Sequence, residues 1–598
     1  MRLLALNKNL KGRPDLYMTV GYILMMGLLA YATFGSLAKY GFVFEDQVVV
    51  QGAEIVLTNP LYIFWTEDWP DHLPNFPGRP TVSLTLAFGR MLLGENPAGY
   101  HLLLVGLHLM ASLLLAYTAC RLGMDLTLSL IGGLFFLLHV GHYSAIQWIS
   151  CMAYPMAVCF GLGTLLCLNR VLRQGSMKWL FGSFVLLTLG MGAHASVVGI
   201  PLIGIYHGWS MKYPRGRIIW VGIPLFLVSV GLAALLLWIY PETDQARGWG
   251  LKSGTDWHAF ENGVDLLARL IVWAFFLREP MLEGYDPVPV WHMGLGAFVG
   301  FGLLYLVLRR SHQPVALWAL WTLLTLAPFI PRSFAVSRYL YPASAGSSMV
   351  LSWMIVNIIT LCGKNWKPTI RHATLGTTIT LLSLSCISDL KKSEVYALYF
   401  SSPMFVLNPD YQPDEKKESQ WLVRVLTHPG HVLLSGRDLE KIVLRLADNG
   451  LPIPEEDLQK LTHAYSHTPQ IPLLLTSLSA YVQGDLDMHQ EAEADLWEVF
   501  EHLSEKHKNP YRGLVAAAYN NVSASIVERR QYDRAIQIYL KALHWQPVYV
   551  TALFNLGNLC RQLGDFERAR VLFEQVLLIQ PDHELSQKGL AEVTQQMK

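Results

Sequence analysis

Charged residues are scarce in this sequence, and their scarcity limits the classes of protein to which it can belong. Asp, Glu, Lys and Arg make up 15% of the 598 residues, and apolar residues make up 52%. In a soluble protein, charged residues usually make up about a quarter of all residues. Charges are sparse up to about residue 388 and dense from 389 onward. The sequence therefore predicts a membrane domain followed by a soluble domain.

Other absences exclude further classes. A net charge of +1 provides no broad basic surface, so nucleic acid is not an expected partner. The seven cysteines have no paired spacing, which predicts neither a disulfide framework nor a zinc site. The sequence has no glycine-rich phosphate loop, no Ser-His-Asp pattern and no paired acids inside an apolar run. The last absence argues against an ion-coupled transporter.

Long apolar runs are the dominant feature of the first 388 residues. Residues 16–38 carry no charge over 23 positions, enough to cross a hydrocarbon core of roughly 30 Å. The segment 262–280 contains Asp265 and Arg269, so we expect it to form an amphipathic helix in the outer interface and not a span. With that choice the sequence predicts an all-α, polytopic helix bundle of about 11 spans. The ten that follow the first lie near 98–120, 124–142, 145–168, 179–193, 195–209, 217–240, 290–308, 314–330, 343–362 and 372–388.

Charge asymmetry predicts the topology of these spans. The first 13 residues are basic and the loop after the first span is acidic, so the N-terminus is expected in the cytoplasm. Residues 39–97 then form a large external loop, whose prolines and tryptophans predict short interfacial helices. Eleven crossings place residues 389–598 on the external side as well. The expected location is a bacterial inner membrane.

The C-terminal part of the chain contains an internal repeat. Residues 389–469 are expected to form a linker and a helical connector, and 470–598 to form a tetratricopeptide repeat domain that binds a protein or peptide. Leu556-Gly557 and Gly564 complete the second copy, and 584–598 is expected to cap the array. Four residues recur 34 positions later, namely Ala535, Tyr539, Ala542 and Pro547 as Ala569, Phe573, Val576 and Pro581.

Two clusters of polar residues are placed where they could carry chemistry. Glu45 and Asp46 follow the first span, where carboxylates can face water outside the bilayer. Arg338-Tyr339-Leu340-Tyr341-Pro342 lies at the outer end of the tenth span, where a cation and its neighbouring tyrosines could hold a phosphate. Ordinary alternatives exist for both: an acidic external loop, and an arginine that reaches out of an aromatic belt.

Histidines form a third group. His101 and His108 lie on one helical stripe, and His139 and His142 lie at a helix end. They have no third ligand at metal spacing, so helix packing or hydrogen bonding is a more natural role than metal binding. A divalent metal is left open as a cofactor, although no residue pattern indicates one.

Together these motifs resemble the membrane glycosyltransferases of the GT-C superfamily. The likeness is greatest to the membrane O-mannosyltransferases that carry C-terminal tetratricopeptide repeats and to their bacterial relatives. It extends over nearly the whole membrane domain and the tail. The residues that carry it are Glu45-Asp46, Arg79-Pro80, Asn96-Pro97-Ala98-Gly99-Tyr100-His101 with His108, His139, His142, Trp148-Ile149-Ser150 and Arg338-Tyr339-Leu340-Tyr341-Pro342.

The resemblance implies transfer of a sugar from a polyprenyl-phosphate carrier to an acceptor, such as a protein hydroxyl, on the external face. It implies that Asp46, next to Glu45, is the catalytic carboxylate. It also implies that Arg79, Arg338, Tyr339 and Tyr341 lie near the carrier phosphate. His101, His139, His142 and His194 would line the site. The polyprenyl-phosphate sugar is then a donor substrate, and no other cofactor is indicated.

The sequence departs from the family pattern at four positions. Ser144 and Met152 stand where relatives often have a glutamate and an arginine, and His194-Ala195 replaces a lysine-glutamate pair. A changed donor specificity would account for these departures. So would the alternative function, a non-catalytic scaffold that keeps the fold and docks a partner complex through its repeats.

Overall fold

A computed structural model describes most of the membrane region and the end of the tail. The described residues are 16–43, 46–60, 79–239, 290–311, 313–329, 337–400, 529–581 and 583–597, with parts of 267–275, 421–425, 442 and 516–527. Glu45, the loop residues 61–78, the linker 402–420 and the expected upstream repeats at 470–510 lie outside them. The chain divides into two compact units, Met1–Ser401 with Phe405–Pro409, and Ser402–Met404 with Asp410–Lys598.

Helices account for all regular structure among the described residues, which confirms the all-α class. Short 3₁₀ turns at Val140–His142, Ile149–Met152 and Ser337–Tyr339 connect several of the helices. The helices of the first unit are α1 (Leu16–Phe34), α2 (Asp46–Thr58), α3 (Pro80–Leu93), α4 (Pro97–Arg121), α5 (Leu126–Leu137), α6 (Tyr143–Gln147), α7 (Ala153–Gln174), α8 (Met177–Ala193), α9 (Ile200–Ser210), α10 (Ile223–Ile239), α11 (Val290–Arg309), α12 (Pro314–Leu326), α13 (Leu340–Cys362) and α14 (Pro368–Phe400).

Local sequence explains where several of these helices begin and end. Pro80 and Pro97 occupy first positions of α3 and α4, where proline loses no helical hydrogen bond. The Asp125 carboxylate caps α5 by accepting from the backbone N–H of Thr127 at 2.9 Å. Gly175 ends α7 with φ of 74°, a left-handed conformation that favours glycine.

Several of the helices are long and apolar enough to cross a membrane. Six of the described helices satisfy both criteria, or seven if α5 and the following Val140–Gln147 segment, bent by 50°, form one span. The chain is therefore a multi-pass membrane protein. Shorter apolar helices such as α8 and α12 satisfy the criterion of composition but not that of length. The count of 11 crossings stays a prediction.

The segment 267–275 differs from the expected amphipathic interfacial helix. Five consecutive residues, 270–274, are buried, and the segment packs against α11, where an added Cβ on Gly296 would overlap Ala268. A helix in the interface would expose one face. The segment also supplies the Ala274 carbonyl to His139. Its function in the fold is thus to pack within the bundle.

Helix α14 continues past residue 388, where the charge pattern places the end of the membrane domain. It ends at Phe400, and its last turns pack against the 3₁₀ turn Gly35–Lys39 that follows α1. The Ser36 and Tyr40 hydroxyls donate to the Glu394 carboxylate at 2.5 and 3.3 Å, and Lys391 pairs with it at 2.7 Å. Burial and this carboxylate raise the pKa of the Tyr40 hydroxyl, which therefore stays a donor.

Helices α12 and α13 approach each other closely. An added Cβ on Gly346 would overlap the carbonyl oxygen of Trp318, so only glycine allows this distance between the two backbones. The indole N–H of Trp321 donates to the Pro342 carbonyl at 2.8 Å. These contacts hold the start of α13, which carries the Arg338 motif.

The two ends of the first unit differ in charge. Helix α7 begins beside Asp46 and, 22 residues later, ends beside Arg217, a separation of about 33 Å. At the end away from Asp46, three connections between helices meet: the one from α4 to α5, the one after α9 and the one from α11 to α12. A Cβ added to Gly123 would lie 3.7 Å from Met211 and 3.8 Å from Pro314. Basic residues mark the helix ends and connections of that side: Arg121, Arg170, Arg173, Lys178, Lys212, Arg215, Arg217, Arg309, Arg310, Lys364, Lys367 and Arg371.

Four helices form the described end of the tail. They are α15 (Tyr532–Trp545), α16 (Val550–Gln562), α17 (Phe566–Ile579) and α18 (Glu584–Gln596). The repeated small and aromatic residues are buried, and Phe573 contacts both Gly557 and Gly589, whose missing side chains make room for its ring. Arg530 has φ of 60° at the repeat position where Gly564 has φ of 81°. The 34-residue period therefore extends to the backbone conformation.

Candidate functional site

Asp46 is the first residue of α2, and its carboxylate is completely buried. Oδ1 accepts from the backbone N–H of Ser150 at 2.7 Å, and Oδ2 accepts from those of Ile149 at 2.9 Å and Val43 at 3.3 Å. Ile149 and Ser150 open the 3₁₀ turn that continues into α7, so the carboxylate lies at a helix N-terminus. Both the N–H donors and the helix dipole stabilise a negative charge there.

Arg338 lies beside the residue that precedes these amides. Its guanidinium carbon is 5.1 Å from the centre of the Trp148 ring and 6.0 Å from that of Tyr339. Trp148 is the N-terminal flank of the turn that binds Asp46. A carboxylate and an arginine from distant parts of the chain thus converge on adjacent residues.

A series of ring contacts connects Arg338 with the second arginine of the predicted site, Arg79. We call Tyr154, His194, Phe329 and Tyr339 the aromatic chain. Successive ring centres are 4.8, 5.3 and 4.6 Å apart, and the Arg79 guanidinium carbon is 5.9 Å from the Tyr154 ring. Both arginines are near enough to the Tyr154 hydroxyl to act on it electrostatically. The predicted residues Arg79, Arg338, Tyr339 and His194 therefore belong to one group.

Tyr341 belongs to a different group, deeper in the bundle. Its hydroxyl lies 2.7 Å from His108 Nδ1, and its ring centre is 4.3 Å from that of His142. Because its hydroxyl bonds to His108, Tyr341 is directed into the bundle and not towards Arg338 as the motif predicts. We call His108, His139, His142 and Tyr341 the histidine cluster.

Hydrogen bonds identify a donor nitrogen on each histidine of this cluster. The carbonyls of Leu137 and Ala274 can only accept, so His108 and His139 donate from Nε2, at 3.0 and 3.3 Å. The Ser344 hydroxyl donates to the Tyr341 carbonyl, so His142 donates to Ser344 from Nε2, at 2.5 Å. Within the described parts of the chain, no three His, Cys, Asp or Glu side chains are placed to hold a metal ion. The cluster joins α4, the end of α5 and the start of α13.

His101 stands apart from both groups. Its Nε2 lies 3.0 Å from the Gly41 carbonyl, and its Nδ1 has no partner among the described atoms. It connects α4 to the segment that leads to Asp46. Of the departures from the family pattern, Ser144 and Met152 are buried in the core of the bundle.

Sequence patterns did not point to two residues near the site. Glu394, in the last turns of α14, is mostly buried, and Gln147 donates to the Ser393 carbonyl at 3.0 Å. Because Gln147 precedes Trp148, this hydrogen bond holds α14 next to the Trp148 ring that the Arg338 guanidinium covers. The signal for Glu394 was present: it is an acidic residue near the end of an apolar helix, three positions after Lys391.

Comparison with known proteins identifies the tail. Residues 527–593 match the tetratricopeptide repeat family. The prediction of this repeat from its 34-residue period is therefore confirmed for the described part of the tail.

Two proteins resemble parts of the chain. Protein O-mannosyl-transferase TMTC1 of Homo sapiens is 30% identical over 151 residues, which are 24% of this chain and 17% of that protein. Uncharacterized protein ycf37 of Cyanophora paradoxa is 25% identical over 113 residues, 19% of this chain and 62% of that protein. The chain thus spans less than two thirds of either relative.

Proposed function

We propose that this protein is a membrane glycosyltransferase that moves a sugar from a polyprenyl-phosphate carrier to an acceptor hydroxyl on the external face. The observation that carries the proposal is the convergence of Asp46 and Arg338 on the adjacent residues Ile149 and Trp148. The partial similarity to Protein O-mannosyl-transferase TMTC1 supports it.

The residues suit a single displacement at the anomeric carbon. The acceptor oxygen forms a bond to that carbon, the bond to the carrier phosphate breaks, and the acceptor proton passes to Asp46. Arg338 and Arg79 stabilise the charge on the departing phosphate. Because the Asp46 carboxylate is buried, acceptor binding must open the contacts that cover it. Such opening is compatible with general-base catalysis, since catalytic hydrogen bonds often form only in the substrate complex.

The charge difference between the two ends supports the orientation of the site. Twelve basic residues mark the side away from Asp46, and basic connections remain in the cytoplasm. Asp46 then lies at the external face of a bacterial inner membrane, with the N-terminus in the cytoplasm and the tail outside. A cysteine substituted for Lys598 tests the tail. An impermeant thiol reagent should label it from outside, and labelling only after the cytoplasm is opened would place the tail inside.

The direct test is an assay of the full-length protein in lipid nanodiscs. Polyprenyl-phosphate sugars should co-purify with it, and labelled sugar should reach a hydroxyl-bearing peptide. Arg338→Lys should weaken carrier binding because a point charge cannot reproduce the planar guanidinium over Trp148. Arg371→Lys, at the basic end, is the matched control and should bind normally. Equal carrier affinity in the two variants would remove Arg338 from the site.

Asp46→Asn tests the catalytic carboxylate itself. Loss of a general base costs roughly 10²- to 10⁴-fold in rate. The rate should be normalised to the amount of carrier-binding protein, because this variant also loses buried hydrogen bonds. Near-normal normalised turnover would contradict the assignment.

A second function, a non-catalytic scaffold, is favoured by the burial of Asp46. Three backbone N–H groups already bind this carboxylate, which gives it a structural role without any substrate. Tetratricopeptide repeats generally bind proteins, and residues 527–593 would then dock a partner. Deleting residues 470–598 separates the two functions. A transferase should still modify a small acceptor but a macromolecular one less well, whereas a scaffold should transfer no sugar with or without its tail.

A further inference from the structure

A long part of the membrane unit contains cations but no acidic residue. Between Asp125 and Glu242 the sequence has no Asp or Glu. Six basic residues lie in that interval, and none of them can pair with a carboxylate of the same interval. These are Arg170, Arg173, Lys178, Lys212, Arg215 and Arg217.

The structure gathers these cations around the end of α7. The Tyr213 hydroxyl donates to the Asn169 side chain at 2.9 Å, which brings the connection after α9 against α7. Arg217 donates from Nη1 to the Arg173 carbonyl at 2.7 Å. Its guanidinium covers Gly175, where an added Cβ would lie 3.3 Å from it. The positively charged connections are therefore held in a defined arrangement.

Trp179, near the start of α8, contacts two further cations. The Arg170 guanidinium carbon is 4.2 Å from the ring centre, and Lys178 Nζ is 5.7 Å from it. Like charges on one ring repel each other, although each is attracted to the ring face. Among the described residues, no carboxylate forms an ion pair with either of them or with Arg217. The arrangement lacks an anion within the chain that the structure describes.

Exposed apolar side chains lie close to these cations in the sequence. Trp220 is 80% exposed and Phe181 is 70% exposed, and both lie within a few residues of the cations at helix starts. Trp209, at the end of α9, is 64% exposed. Exposed tryptophan beside basic residues at helix ends is typical of the lipid headgroup region. The apolar side chains suit acyl chains, and the cations suit a phosphate.

We propose that Arg170, Lys178, Trp179 and Arg217 form a binding site for the headgroup phosphate of an anionic phospholipid. We call these four residues the cationic patch. The phosphate lies between the cations on Trp179 and the guanidinium that covers Gly175, and the acyl chains lie along the exposed faces of α8 and α10. The site is separate from Asp46 and does not depend on the transferase function.

Native mass spectrometry of the full-length protein, with phosphatidylglycerol and phosphatidylcholine as probes, tests the site. The wild-type protein should retain phosphatidylglycerol in preference to phosphatidylcholine. A surface Lys or Arg contributes about 1 kcal/mol to binding of anionic lipid, or about five-fold in affinity. Arg170→Gln with Arg217→Gln should therefore weaken phosphatidylglycerol binding by roughly 25-fold.

Arg309→Gln with Arg310→Gln is the matched control. It removes two exposed charges from the same end but leaves the cationic patch unchanged, so retention should stay close to that of the wild type. Equal loss in the two double variants would overturn the site in favour of a diffuse positive surface. Displacement of the lipid by inorganic phosphate at comparable concentration would overturn the lipid assignment, because a small anion would then suffice.

A charge-conserving variant covers the case in which the double variant fails to fold. Arg170→Lys with Arg217→Lys keeps both charges but loses the planar guanidinium over Trp179, so phosphatidylglycerol binding should fall less than in the double glutamine variant. In the wild type, increasing salt should release phosphatidylglycerol, because screening weakens exposed charge pairs. Retention that does not change with salt would contradict an electrostatic site.

Discussion

Replacing Asp46 by asparagine should destabilise the membrane unit by a calculable amount. Asparagine has one acceptor oxygen in place of two. If that oxygen takes the position of Oδ2, the N–H groups of Ile149 and Val43 keep their acceptor, and that of Ser150 loses its 2.7 Å bond. One buried backbone donor without an acceptor costs about 1–3 kcal/mol. The two remaining bonds also lose the negative charge that strengthens them. We expect a total of about 2–4 kcal/mol.

Hydrogen–deuterium exchange in detergent micelles measures this loss where it occurs. The amides of Ile149 and Ser150 should exchange about 30-fold faster or more, since each 1.4 kcal/mol of opening free energy is about a factor of ten. Glu54→Gln is the matched control on the same helix. Glu54 is exposed and pairs with Arg90 at 3.4 Å, so its loss should cost at most about 1 kcal/mol. Wild-type protection of the two amides in Asp46→Asn would refute the reasoning.

Three further predictions concern other parts of the chain. Gly346→Ala should destabilise the protein by about 1–3 kcal/mol, because the added Cβ would overlap a carbonyl oxygen of α12. Gly376→Ala, with open space around the added Cβ, is the control. Equal melting temperatures of the two variants would contradict the close approach of α12 and α13. Arg530→Gly should slow amide exchange in α15 and α16, because it relieves about 1 kcal/mol of strain in the left-handed backbone conformation of this residue. Faster exchange would show that the arginine side chain stabilises the fold by more than this strain costs. Burial raises the pKa of the Cys560 thiol, so in detergent it should react with a thiol reagent more slowly than the exposed Cys362. Equal rates would contradict its burial.

Local and periodic features of this chain could be predicted from the sequence. The repeat was detectable because small and aromatic residues recur at a fixed spacing, which is a one-dimensional signal. The charge-free run in α1 was detectable for the same reason. The burial of 270–274 was not, because Asp265 and Arg269, which precede these residues, indicate an interfacial helix, and the packing against α11 has no signature in local composition.

The candidate site could be predicted as a set of residues but not as a geometry. Arg338 and Trp148 are far apart in the chain, and nothing in their neighbours indicates that one covers the other. Backbone N–H groups carry no sequence signal, so the acceptor role of Asp46 could not be foreseen. Tyr341 shares a motif with Arg338, yet the helical turn between them directs it into the bundle, towards His108.

The aromatic chain has a consequence for mutational analysis. Its rings touch in sequence from Tyr154 to Tyr339, and an arginine lies over each end. Residues in one contact network usually have non-additive energies, with coupling of about 0.5–3 kcal/mol. A double-mutant cycle between Arg79 and Arg338 should therefore show coupling that disappears when Phe329, in the middle, is replaced by leucine. The free-energy change of a single substitution at either arginine therefore includes a contribution from the rearrangement of the aromatic chain as well as the loss of one charge.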